Sequence, residues 1–158
     1  MTFKRALTTS SVLALLAGPA LADLTADEVL ADQLAQMSLY GFDIETTGQS
    51  RSGATLTVDG LAATAAIPEE DVTMDMTIGG AMFTEQGDGT VLVTYPDSIP
   101  VNIDVAGPEG EAFSVSMNIS QTGFEMLASG SSQQFRYDFS GQTMSINNLA
   151  FSGPEEMN

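Results

Sequence analysis

"FSVSMNISQTG", residues 113–123, alternates residue by residue. Phe113, Val115, Met117 and Ile119 take one parity; Ser114, Ser116, Asn118 and Ser120 take the other. A strand sends successive side chains to opposite faces, so this stretch reads as a strand with one oily face and one small polar face. The same rhythm runs through the chain beyond Gly41: "FDIETT" (42–47), "TLTVDG" (55–60), "LAATAAI" (61–67), "VTMDMTI" (72–78), "AMFTE" (81–85), "TVLVTY" (90–95), "VNIDV" (101–105), "FEMLA" (124–128), "FRYDF" (135–139) and "MSINNLAF" (144–151). Turn signals separate these runs. Gly79-Gly80 reads as a two-residue hairpin, "QGDG" (86–89) as a turn, and "AGPEGE" (106–111) as a loop. Connections are short and no helical pattern intervenes. The expectation is a mainly β fold of about ten short strands, an antiparallel meander forming a curled sheet or sandwich.

One helix precedes the strands, over about 25–39. Thr25 and Glu28 form a T-x-x-E capping box, flanked by Leu24 and Val29 as a hydrophobic staple. Asp27 and Glu28 sit where the helix dipole favours negative charge. Leu30, Leu34 and Met37 form a narrow apolar stripe, and Gly41 is a stop. Such a helix leans on one edge or face of something larger.

Residues 1–22 are read as a signal peptide, with 23–158 as a single β-rich domain. Lys4 and Arg5 form a positive start, "ALTTSSVLALLAG" (6–18) an apolar run, and "ALA" (20–22) a small-x-small site, so cleavage falls between Ala22 and Asp23. The run is short of the roughly 20 residues a spanning helix needs, so the processed chain is not expected to span a membrane. The expected location is the periplasm or the exterior of a bacterium.

Processing removes two of the four cations and none of the 21 carboxylates, leaving Arg51 and Arg136 against 21 acids, a net charge of −19 over 136 residues. That surface repels nucleic acid and suits a salty environment. Arg136 and Asp138 share a parity and are expected to pair along their strand; Arg51 in "SRSG" is expected in a turn. "EED" (69–71) lacks the spacing of a calcium loop, and no metal or cofactor site is expected.

Catalysis is disfavoured by composition. The processed chain has no His, Cys or Lys, which removes the commonest general base, the commonest metal ligands and two nucleophiles. No nucleophile elbow and no phosphate loop occurs. Paired carboxylates remain for glycosidic cleavage, with nothing to single any out. The chain is therefore expected to be non-enzymatic, with no catalytic residues.

The oily face is either an ordinary core or the floor of a groove for an acyl chain or other apolar molecule. Eight methionines survive processing, and Met74, Met76, Met117 and Met144 fall on its parity. Methionine adapts to irregular partners. The candidate lining residues are Met74, Met76, Ile78, Val115, Met117 and Ile119. The alternative is a structural or interaction module whose acidic surface meets a protein partner or divalent cations. A membrane barrel would show longer alternating strands with aromatic girdles.

Several phrases are similar to a known family. "LTADEVLAD" (24–32), "GQSRSGATLTVDGL" (48–61) and "FTEQGDGTVLVTYPDSIPV" (83–101) resemble the bacterial secreted domain of unknown function 2125 family. The resemblance implies an exported β-rich protein and transfers no functional residue. Members are typically several times longer, so the resemblance implies either an amino-terminal portion or a short variant; if the former, a terminal strand edge is left unpaired and invites self-association.

Overall fold

The computed structural model describes residues 23–108 and 112–153. Helix α1 (Ala26–Ser38) is followed by nine strands: β1 (Asp43–Ser52), β2 (Thr55–Ile67), β3 (Val72–Glu85), β4 (Val91–Thr94), β5 (Ser98–Ala106), β6 (Ala112–Thr122), β7 (Glu125–Ser131), β8 (Gln134–Ser140) and β9 (Thr143–Ser152). They form one curled antiparallel half-barrel sheet. The expected capping box is present: the Thr25 hydroxyl accepts from the Glu28 amide, and the Glu28 carboxylate accepts from the Thr25 amide.

The sheet is a meander of six long rows rather than of short hairpins. β3 pairs with β2 along its whole length, while its other edge pairs with β5 over residues 73–78 and with β4 over 82–85. β4 and β5 thus make one interrupted row, broken at residues 95–97. β6 and β7 make a second, broken at Gly123 and Phe124, and pair with β5 and β4 in turn. β8 and β9 make a third, broken at Gly141 and Gln142, and pair with β7 and β6. Gly79-Gly80 is therefore no hairpin, and 55–60 and 61–67 are not separate strands: β3 and β2 run straight through both places.

These breaks line up into a crease across the sheet. Gly48 of β1 faces Gly60 of β2, which faces Gly79 of β3. The crease needs glycine because backbone crosses there at close range. A Cβ on Gly80 would sit 1.9 Å from the Val58 carbonyl oxygen. The apolar parity also slips at this line, from Leu56 and Val58 to Leu61 and Ala63 in β2, and from Ile78 to Ala81 and Phe83 in β3. A two-residue pattern interrupted by glycine imitates a turn in sequence, which explains the mistaken hairpin.

Gln121 pins the crease. It is the buried polar side chain among the described residues. Its amide donates to the Tyr95 and Pro96 carbonyls at 2.8 and 3.0 Å, and its carbonyl accepts from the Phe124 amide at 2.7 Å. Backbone groups freed by two of the three broken rows thus find partners.

On one side of the crease lies the helix-covered lobe: 48–52 of β1, 55–59 of β2, 81–85 of β3, β4, β7 and β8. Leu24, Ala26, Val29 and Leu30 pack there against Leu56, Val58, Phe83, Val91, Val93, Met126 and Ala128. Arg51 lies within the last residues of strand β1 rather than in a turn, and it bridges Asp27 and Glu85, which ties the start of α1 to the sheet. On the other side is the open lobe: 43–47, 61–67 and 72–78 of the first three strands, with β5, β6 and β9.

Candidate apolar binding face

Residues directly opposite in a sheet share a face. In the open lobe this places Ile44, Ala63, Met76, Ile103, Val115 and Phe151 in one line across six strands. Leu61, Ile78, Val101 and Met117 form a second line. Ala65, Met74, Val105 and Phe113 form a third. All six sequence-predicted lining residues thus share one side of the sheet, and all six are half-buried.

Exposure rises along the first line, from Ala63 at 2% to Phe151 at 71%. Beyond it, Met144, Ile146 and Leu149 of β9 are exposed too. The helix ends before reaching these strands.

Where α1 overhangs the crease, a recess of about 150 Å³ opens. Leu30, Leu34, Ile78, Tyr95, Ile99 and Ile119 are among its walls. It brings together Ile78 and Ile119 of the predicted set, and does not include Met74, Met76, Val115 or Met117, which lie outside it on the open lobe. Leu30 and Leu34 are visible in sequence as the helix stripe, without a sign of what they face. Ile99 sits between Pro96 and Pro100 in a stretch that reads as loose connection; only the broken row makes it strand.

The polar groups nearby serve to seat the helix. The Tyr137 hydroxyl donates to Asp32 of α1. Burial first, then that hydrogen bond and the Asp32 charge, push the Tyr137 phenol well above its ordinary value. Burial raises Tyr95 as well. The Glu85 carboxyl is held below its ordinary value, chiefly by the Ala26 amide that donates to it at 3.0 Å, with help from Arg51. Arg136 pairs with Asp138 at 3.0 Å on the exposed β8.

Among the described residues no three His, Cys, Asp or Glu side chains cluster as a metal site, and no helix is long and apolar enough to cross a membrane. Of the expected cleavage pair, Asp23 precedes the helix and Ala22 lies outside the described residues. Comparison with protein-family models, with curated proteins and with solved structures finds no match to this chain.

Proposed function

We propose that this chain is a non-enzymatic, exported bacterial envelope protein that holds an acyl chain or other apolar molecule on the open lobe. The observation that carries the reading is the set of apolar lines that run out from under α1 and become exposed toward β9, with Phe151 at 71%. At about 150 Å³ the recess is smaller than the roughly 300–1,000 Å³ of ordinary ligand pockets. The end of an acyl chain would enter between Leu34, Ile78 and Ile119, and the rest would lie along Met76, Met117 and Val115. The signal-like first 22 residues, and phrases that resemble those of an exported family, support the compartment.

The test is mass spectrometry of organic extracts of gently purified processed protein, with titration of a fluorescent fatty acid. Saturable uptake is expected, weakened about tenfold or more by Met117→Asp, which places a charge under the chain. Finding no extracted lipid and no uptake ends this reading.

The small recess favours a second reading, in which a protein surface covers the open lobe and the acidic exterior meets a partner or divalent cations. A stoichiometric heat on calcium titration, or a raised melting temperature, would favour it.

A further inference from the structure

The three strands at free edges of the sheet are not alike. β1 carries Asp43, Glu45 and Arg51, and β8 carries Arg136 and Asp138, charges that discourage pairing with another strand. β9 carries none. From Gly141 to Gly153 no charged residue occurs, in a chain whose formal net charge is −17. All ten residues of β9 are exposed, and among the described residues it pairs with β6 alone.

The sequence of β9 also reads nearly the same in both directions by polarity, with small Ala150 mirroring Ser145 as the one mismatch: Thr143, Met144, Ser145, Ile146, Asn147, then Asn148, Leu149, Ala150, Phe151, Ser152. An unbroken strand could not use this symmetry. With ten residues in strict alternation, Met144 and Ile146 would face one way and Leu149 and Phe151 the other. The bulge removes the conflict. Asn147 pairs with Asn118 and Ala150 with Ser116, so two residues, Asn148 and Leu149, stand opposite Met117. Asn148 takes the left-handed conformation, φ 54°, as the extra residue. Met144, Ile146, Leu149 and Phe151 then share one face, and ten residues fill nine rungs with Asn147 at the middle.

We infer that β9 pairs antiparallel with β9 of a second copy, about a twofold axis at Asn147. Each copy's Ile146 then meets Leu149 of the other, Met144 meets Phe151, Ser145 meets Ala150 and Thr143 meets Ser152. Such an axis is perpendicular to the sheet and keeps both apolar faces on one side, so the open lobes join into one wider surface. The contact is self-complementary, as a twofold interface must be. One strand pair is a small interface, so association is weak, on the order of micromolar. Two strongly acidic copies repel each other elsewhere, so added salt tightens the dimer.

The chain has no cysteine, so a single introduced thiol reports the register cleanly. In processed protein, Asn147→Cys places two thiols on opposite Cβ atoms roughly 5 Å apart. Thr143→Cys leaves its thiols about 27 Å apart, eight rungs along the strand. The expected result is a disulfide-linked dimer from the first variant and none from the second. Sedimentation should show a dimer fraction that rises with protein and salt concentration and disappears in Ile146→Glu, whose exposed site leaves the circular dichroism spectrum unchanged. The inference is overturned by a chain that stays monomeric near 100 μM in about 0.5 M salt. It is equally overturned by cross-linking at both thiols, or by a dimer indifferent to Ile146→Glu. Fatty-acid uptake by wild-type protein, diluted to where it is monomeric, is a separate readout, so failure of pairing and failure of ligand binding are told apart.

Discussion

The two lobes are built from the same strands and differ in what lies on them. In the helix-covered lobe, β2 buries Leu56 and Val58 at 3% and 2%, and Val91, Val93 and Ala128 are sealed completely. Across the crease the same β2 turns to alanine, at 62, 63, 65 and 66, and ends on Ile67, which is half in solvent. Two strands further, Val101 remains buried while Phe151 does not. Apolar alternation is equally regular in both lobes, so alternation alone does not make a core. A face becomes core only where a second layer covers it, and α1, 13 residues long, covers one lobe and only the near edge of the other, at Leu61, Ile78, Ile99 and Ile119.

The largest test of this contrast replaces one phenylalanine in each lobe. Phe83→Ala empties a site that is 2% exposed beneath α1 and should cost about 3–5 kcal/mol in chemical denaturation. Phe151→Ala, on the open lobe, should stay within about 0.5 kcal/mol. Equal costs would mean that the open lobe is covered in solution.

The crease comes next. Gly80→Ala forces a methyl against the Val58 carbonyl and should cost about 1–3 kcal/mol or more, since backbone rather than a side-chain tip must move. Gln121→Leu, which strands the Tyr95 and Pro96 carbonyls and the Phe124 amide, should cost about 1–3 kcal/mol. If both variants unfold at the wild-type denaturant midpoint, the crease is not what holds the lobes together.

The same crease marks the limit of what could be read in the sequence. The helix, its capping box and the β alternation are local signals, and each is legible within a few residues. The pairing of Gly48, Gly60 and Gly79 is not, because it joins residues from three strands. A glycine that permits close backbone approach looks the same as a glycine in a turn until its neighbours are known. For the candidate face, parity sufficed to group Met74, Met76, Ile78, Val115, Met117 and Ile119. It could not tell which of them the helix would overhang, since Leu30 and Leu34 carry no mark of their partner. Nor could strict alternation place all four β9 residues together, because the slip at Asn148 reverses it.

The cap of α1 offers a smaller effect confined to the covered lobe. Thr25→Ala removes the acceptor of the Glu28 amide and should cost about 1 kcal/mol. Hydrogen exchange should rise at the start of α1 and leave β9 unchanged.

The smallest expected effect is the dependence of the helix seat on pH. Glu85 is held below its ordinary value of 4.5 by the Ala26 amide and by Arg51. A depressed carboxyl contributes stability that is present above its unfolded value and lost as pH falls through the folded one. Wild type should therefore exceed Glu85→Gln in stability at pH 7, and the gap should close as the solution is acidified below about 4.5. Comparing the two proteins cancels the effect of the other carboxyls, whose protonation also relieves repulsion in an acidic chain. Tyr137 works at the opposite end of the scale. Its phenol is raised above 10.0, so what its bond to Asp32 contributes is present below that value and fades as pH climbs past it. Both groups seat α1 on the covered lobe. Acid and alkali should thus loosen the amides beneath the helix while exchange in β6 and β9 stays level between Glu85→Gln and wild type; parallel changes in both lobes would show that the helix steadies the whole sheet, not half of it.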